Sequence, residues 1–568
     1  MSSESDILAF QNSVEDNLDS ASTALFNGKK WTFVTDSTSN SGQFGSGQIQ
    51  FDLKNLSSQS QWVDLREATV EFPVKITAKI TTSVASATAT GRIHAAIIKN
   101  GWHQWISSAQ LMINGQTIQS AQPYENVAAQ WRILSTWSQD ELIKQGPTCG
   151  FSLDDMTGDS ETSGSLLVNN GLANCNFATF NTPVKGFDCL NAPTATYDTT
   201  LVNKGAIDRA LFTNNSVTDT TNQAKVLLPA NMKLAGRSNV AGTTSTAATP
   251  GTFWSAYYMA TVRLRDLCDL RDFPMCKNLQ GYLYLNFNSA STTLDVGTAT
   301  DGIISAVSTH ITSGQTCPFL INNNITNGFT TTTVGANKVV FAGLVDGSTV
   351  AADIINGNGP VLTSARLLAP YYQANPKADA VLSQTNKFFT TLEKIQFTFD
   401  VPAGTAQNYT VTSGVSNPKR IVMLPLLKQL GTSTITAPEQ SPFDPAPATS
   451  GNFATMSQLQ IYVANQPIYQ TPVQYDYEQF LSEQSQVGLN GNQSREETSG
   501  LLTEQLWTQN HRFYTTDLSR RMDAEDGSSK SVSVTYTNTN AFGHRVIGHL
   551  YYEKRWVMDT TTCTISPF

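Results

Sequence analysis

From Gln48 onward the chain reads as strands. Val70, Phe72, Val74, Ile76, Ala78 and Ile80 alternate with Thr69, Glu71, Pro73, Lys75, Thr77 and Lys79. This period of two puts one face on a core and turns the other outward. Pro73, on the outward face and without an N–H to donate, points to a sheet edge or a bulge. In 111–118 the pair Asn114-Gly115 is the signal of a tight hairpin. Pro123 then precedes a helix with Val127, Trp131 and Leu134 on one stripe. Residues 138–250 read as loop, rich in Thr, Asn, Gly and Asp, regular structure returns over 253–288, and 290–360 is again polar with short apolar runs.

Beyond about 385 the alternation resumes. Ile395, Phe397, Phe399 and Val401 alternate with Gln396, Thr398 and Asp400, and Pro402-Ala403-Gly404 makes a turn. The run 421–427 suits a buried strand that Pro425 is expected to end early. A strand over 459–463, helices near 474–485 and 500–511, a strand with Val532, Val534 and Tyr536, and another over 546–552 complete the chain. Many short strands, turn-rich connections and few helices predict an all-β fold, a sandwich or jelly roll, present twice.

The duplication has its own signal. Gln110-Leu-Met-Ile-Asn-Gly-Gln-Thr-Ile-Gln119 is echoed by Gln458-Leu-Gln-Ile-Tyr-Val-Ala-Asn-Gln-Pro-Ile-Tyr-Gln470, and each copy runs into Tyr-Glu at a helix start, Tyr124-Glu125 and Tyr477-Glu478. Upstream, Ile49-Gln50-Phe51 recurs as Ile395-Gln396-Phe397. The offsets are 346 and 348 residues, rising to 353 at Tyr-Glu. They predict one large domain used twice: an acidic flexible arm over 1–45, a first domain over 46–376 with long outward loops at 138–250 and 290–360, a linker at 377–384, and a second domain with a C-terminal tail over 385–568.

Composition narrows the function. Charged residues are 14% of the chain, well under the ordinary share of about 25%, so the surface is polar without strong self-repulsion and suits sides covered by neighbours. The net charge of −9 and the first 20 residues, with five acids and no Lys or Arg, give a phosphate backbone nothing to bind. The start lacks the basic and apolar regions of a signal peptide, and no apolar run is long enough to span a bilayer. These features lead us to expect folding inside a cell.

No reactive constellation stands out. Cys149, Cys175, Cys189, Cys268, Cys276, Cys317 and Cys563 include no CxxC pair and read as buried thiols. His544 and His549, five apart in a strand, would face opposite ways. The Gly42–47 cluster leads into a strand, whereas a phosphate loop needs a helix start. The run Arg263-Leu-Arg-Asp-Leu-Cys-Asp-Leu-Arg-Asp272 reads as an ion-pair network at a strand end or subunit contact, and Asp517-Leu-Ser-Arg-Arg-Met-Asp523 as charges ordering a loop or pairing across an interface. Tyr371-Tyr372 and Trp102-His-Gln-Trp-Ile106 could form an aromatic platform, but strand aromatics more often fill a core. The sequons at Asn55, Asn324 and Asn408 are what so Asn/Thr-rich a chain yields by chance. We therefore expect no catalytic, cofactor-binding or metal-binding residues.

Val262-Arg-Leu-Arg-Asp-Leu-Cys-Asp-Leu-Arg-Asp-Phe273 with Leu279-Gln-Gly-Tyr-Leu-Tyr-Leu-Asn286 resembles the late strands of the first jelly roll in double-jelly-roll major capsid proteins. Ala365-Arg-Leu-Leu-Ala-Pro-Tyr-Tyr372 with Asn375-Pro376 is similar to that domain's last strand and linker. Asn417-Pro-Lys-Arg-Ile-Val422 and Asp517-Leu-Ser-Arg-Arg521 resemble parts of the second jelly roll. The branch most resembled is the polinton-like virus, virophage and adintovirus group of DNA viruses. The resemblance covers roughly 45–560, and its motifs identify the family only through their order together with the duplication. It implies two tandem jelly rolls, homotrimeric pseudo-hexameric capsomers, an icosahedral shell, and partners among penton and minor capsid proteins. The long loops would form an outer tower and the arm would face inward or clamp a neighbour. The acidic balance leaves genome contact to other proteins or an internal membrane. The competing readings are a fibre or lectin-like binding protein of two β-sandwiches, and a polysaccharide-active enzyme, which would need a carboxylate pair in a groove.

Overall fold

The computed structural model describes residues 25–37, 48–56, 61–80, 87–88, 96–155, 205, 232–233, 251–296, 304–310, 314–321, 330–331, 337–347, 364–383, 386–428, 437–440, 445–450, 454–486, 500–519, 528–540 and 543–568. Each half of the chain contributes eight main strands. In the first half these are β1 (Phe26–Thr35), β2 (Ile49–Asp52), β3 (Thr69–Ile80), β4 (Ile106–Ile113), β5 (Gln116–Gln119), β6 (Gly251–Arg263), β7 (Gly281–Phe287) and β8 (Arg366–Ala374). The second half has β9 (Asn386–Val401), β10 (Ala406–Val415), β11 (Pro418–Lys428), β12 (Ser457–Val463), β13 (Gln466–Pro467), β14 (Tyr514–Asp517), β15 (Lys530–Thr537) and β16 (Gly543–Asp559).

Both halves pair these strands alike. One sheet runs β1-β8-β3-β6 and its counterpart β9-β16-β11-β14, while the second sheets run β2-β7-β4-β5 and β10-β15-β12-β13. The order is 1-8-3-6 over 2-7-4-5, the wrapped antiparallel order of a jelly roll. Phe72 of β3 meets Phe287 of β7 at 4.9 Å, and Phe399 of β9 meets Tyr409 of β10 at 4.4 Å. Each half is thus a two-sheet sandwich with its own core.

The duplication is real, and one of its sequence signals is not. The 110–119 and 458–470 echoes are β4-β5 and β12-β13, the same hairpin of each half. The turns even share a backbone: Asn114 and Gly115 have φ of 47° and 80°, Ala464 and Asn465 50° and 65°, the twist-matched geometry of two-residue hairpins. Ile49-Gln50-Phe51, however, lies in β2, whereas Ile395-Gln396-Phe397 lies in β9, the counterpart of β1. That match is a coincidence of strand composition.

Six further expectations need correction. Inside the expected loop 138–250, Gln139–Gln145 is a helix capped by Ser138. Within the expected arm 1–45, residues 26–35 are β1, paired along its length with β8; residues 1–24 and the Gly42–47 cluster lie outside the described residues. The expected linker 377–384 is largely a helix, Pro376–Leu382, capped by the Asn375 side chain and started by Pro376. Within 290–360, Ala290–Val296, Ile304–His310 and Asn337–Val345 extend the β3 sheet. The prolines also sit differently from the sequence reading. Pro73 is in a central strand, where β8 pairs as far as Glu71 and Asn337–Val345 takes over from Val74. The Pro73 carbonyl accepts from the Asp346 N–H at 3.1 Å on that side, so the missing donor falls at the handover between two neighbours. Pro425 does not end β11; β14 pairs only as far as Met423, and β16 continues past the proline to Lys428.

Candidate functional site

The largest shared feature is the seam between the halves. Helix α1 (Glu125–Thr136), which follows the β4-β5 hairpin, is buried over all but its last residue, because it is wedged between first-half groups such as Gln104 and the Asp266 carbonyl and the outward face of the second half's β9-β16-β11 sheet. Alternation in β9 explains that face. Phe397 and Phe399 point into the sandwich, so Lys394, Gln396, Thr398 and Asp400 point out, opposite Tyr551, His549, Ile547 and Arg545 of β16. Tyr551 meets Trp131 of α1 at 5.5 Å, with the Arg420 guanidinium 5.4 Å from the same indole. Lys394 is ion-paired with Glu125 at exposures of 2% and 0%.

Polar groups along this seam are held in place. Burial keeps the Lys394 amine below its ordinary value against the pull of Glu125, lowers Arg420 to about 9, and lowers His549 to about 3, with the Lys394 charge adding to the effect. Arg545 reaches the buried Glu439 at 2.7 Å, and the Tyr124 hydroxyl donates to the same carboxylate at 3.3 Å. Burial raises Glu439 above the usual carboxylate range. His511 lies between the Ala448 and Asp154 carbonyls at 3.1 and 3.0 Å. Breaking such a pair leaves an unpaired buried charge, so the halves are locked in one orientation.

The 263–272 run is part of this seam. Arg263 binds Asp266 at 2.8 Å and Glu141 at 3.1 Å and lies 4.1 Å from the Trp137 ring. Asp269 accepts from Arg271 at 3.3 Å and from the Leu392 N–H at 2.8 Å, and Asp272 accepts from Thr390 at 2.9 Å. It is an ion-pair network at the end of β6 that reaches into β9. Asp517 takes a bond from Ser519 and donates its N–H to Glu483 at 2.9 Å; residues 520–523 lie outside the described residues. Trp102 and Trp105 are fully buried and belong to the core, so they form no platform. Tyr371 packs against the core, while Tyr372 faces outward.

The described cysteines, Cys149, Cys268, Cys276, Cys317 and Cys563, are buried free thiols. Burial pushes Cys149 and Cys268 up to about 12, far from a reactive thiolate. The Cys276 and Cys563 sulfurs are 3.8 Å apart. Cys175, Cys189 and the sequon at Asn324 lie outside the described residues. His544 stacks on Tyr536 inside the sandwich and His549 faces the seam, opposite faces as expected. Among the described residues, no cluster of His, Cys, Asp or Glu is arranged to hold a metal, and no helix is long and apolar enough to cross a membrane.

Sequence reasoning missed the outward face of the first half. There Lys29, Trp31, Phe33 and Thr35 of β1 lie opposite Tyr372, Pro370, Leu368 and Arg366 of β8. Trp31 is 53% and Phe33 56% exposed, and Lys29 lies 5.4 Å from both the Trp31 and Tyr372 rings. The far edge of β1 has no strand partner among the described residues.

Comparisons with known proteins give structural neighbours only. No protein-family model and no curated protein matches the chain. Solved structures similar to it include one of the Sputnik virophage, at 10% identity over 97% of this chain and 90% of that one with a TM-score of 0.43. A Faustovirus major capsid protein is similar at 9% identity over 95% and 92%, TM-score 0.39. A mavirus major capsid protein is similar at 12% identity over 97% and 92%, TM-score 0.36.

Proposed function

We propose that this chain is the major capsid protein of an icosahedral DNA virus. Three copies form a pseudo-hexameric capsomer, and capsomers tile the shell of the virion. The observation that carries the reading is the repeated 1-8-3-6 over 2-7-4-5 strand order in two halves locked by a buried polar seam. Two like wedges at a fixed angle let a threefold assembly fill a sixfold position, and closed symmetry is the usual outcome of self-association. The chemistry described above fits the same reading: the charges of the 263–272 run are paired with one another and with β9 and the described thiols are buried, and in this reading the chain acts by shape. It is also the assignment that the sequence resemblance implies. Penton and minor capsid proteins complete the shell in this reading, with genome contact left to other components.

Light scattering on the purified protein tests it. Three times the chain mass of 61.7 kDa, or larger assemblies of that unit, is expected. A single-chain mass at every concentration contradicts it and favours a two-sandwich binding protein.

A further inference from the structure

Two cysteines from opposite halves of the chain meet where the C-terminal tail packs on the first half. Cys276, between β6 and β7, is pinned to Val63: the Val63 N–H donates to its carbonyl at 2.9 Å, and its own N–H donates to the Val63 carbonyl at 3.3 Å. Cys563 sits in the turn between β16 and a last strand, Thr564–Pro567, which folds back on Trp556–Asp559. Beside the thiols the two segments are tied directly. The Lys277 N–H donates to the Thr560 carbonyl and the Asn278 side-chain amide to the Thr561 carbonyl, each at 2.8 Å. Both thiols are fully buried in the first half's core, with their sulfurs 3.8 Å apart.

Two further features bear on what this pair can do. The turn holds Cys563 at a φ of 57°, a left-handed backbone that crowds a Cβ and that Gly or Asn fills more easily, and it aims the thiol inward at Cys276. Its neighbours Thr562 and Thr564 are exposed, and the strand that follows is four residues long at the chain's end. Short terminal segments open locally before the rest of a fold. A small solute therefore reaches Cys563 when the tail lifts, and the thiol returns to Cys276 when the tail closes.

We infer that Cys276 and Cys563 form an intrachain disulfide on exposure to a small-molecule disulfide such as glutathione disulfide, clasping the tail to the first half. The Cys563 thiolate attacks one sulfur of the oxidant, whose S–S bond breaks and releases one glutathione. The Cys276 thiolate then attacks the Cys563 sulfur of the mixed disulfide and expels the second glutathione. Two protein thiols are oxidised, the small disulfide is reduced to two thiols, and the protons lost by the cysteines end on those leaving thiols. The sulfurs close from 3.8 Å to a bond of about 2 Å. The bond links residues 287 apart, a loop that contains the whole second half, so it restrains the unfolded chain strongly. A reducing compartment keeps the pair as thiols and an oxidising one joins them. This chemistry is independent of what the chain assembles into.

Incubating the folded full chain with glutathione disulfide, alkylating the remaining thiols in denaturant and mapping peptides without reduction tests this. The expected result is one peptide pair joined through Cys276 and Cys563 within a chain, and a rise in melting temperature that a reductant reverses. Cys276→Ser should lose both and leave glutathione on Cys563, since the first exchange proceeds and the second has no attacking thiol. Cys563→Ser should carry no glutathione at Cys276. Wild-type protein with both cysteines alkylated overturns the inference. So does a link from either to another cysteine or another chain, or glutathione retained on wild-type Cys563. A joined pair with no rise in melting temperature overturns the clasp.

Discussion

The outward faces of β1-β8 and β9-β16 share a strand order, and each carries a cross-strand lysine–tyrosine pair, Lys29–Tyr372 and Lys394–Tyr551, yet one is sealed and the other is open. On the second half, α1 covers the face, and Lys394, Arg420 and His549 are charged or polar groups removed from water. On the first half, Lys29 keeps its charge in solvent beside two exposed rings. A position's environment is thus set by what packs on the sheet as much as by the sheet itself. The repeat serves as an internal control, because the corresponding sheet face can be tested covered in one half and uncovered in the other.

The sharpest contrast lies in the lysines. Lys394→Ala strands Glu125 in a dry seam and should cost about 3–5 kcal/mol, whereas Lys29→Ala should cost at most about 1 kcal/mol. Urea midpoints of dissociated protein report both, and equal shifts would break the comparison. The tryptophans should divide likewise: Trp131→Ala, at 1% exposure, should cost about 3–5 kcal/mol. Trp31→Ala should move chain stability by about 0.5 kcal/mol or less while weakening association.

The seam also predicts an acid response. His549 is lowered to about 3 and His103 to about 4 by burial. The unfolded chain therefore binds protons through the ordinary histidine range while the fold does not, and stability falls as the pH drops from about 6.5 toward those values. Between pH 6.5 and 5 each histidine should remove about 2 kcal/mol. His549→Gln should flatten the slope, and an unchanged urea midpoint across this range in the wild type would count against a dry seam. A small gain is expected at the hairpins. Ala464 holds a left-handed φ of 50° where its counterpart is Asn114, so Ala464→Asn should raise stability by about 0.5–1 kcal/mol, seen as a higher melting temperature.

Much of the fold was legible wherever one strand face meets a core, as at Val70 to Ile76 and Val532 to Tyr536. β1 was not legible, because only Val34 of its ten residues is buried and no alternation results. The prolines misled because a sequence shows that a donor is missing but not where the neighbouring strand ends. The 263–272 run was readable as an ion-pair network. Its place on the seam was not, since Asp269 meets Leu392 123 residues away. Nothing in the sequence ties Glu125 to Lys394, 269 residues apart; only the fold brings them together.

The central claim is that two like wedges in one chain are built to be completed by other copies. Images of the purified protein in negative stain test it most directly. Hexagonal, three-lobed particles with six wedges, or sheets of them, are the predicted result; isolated two-lobed particles at every concentration would contradict it.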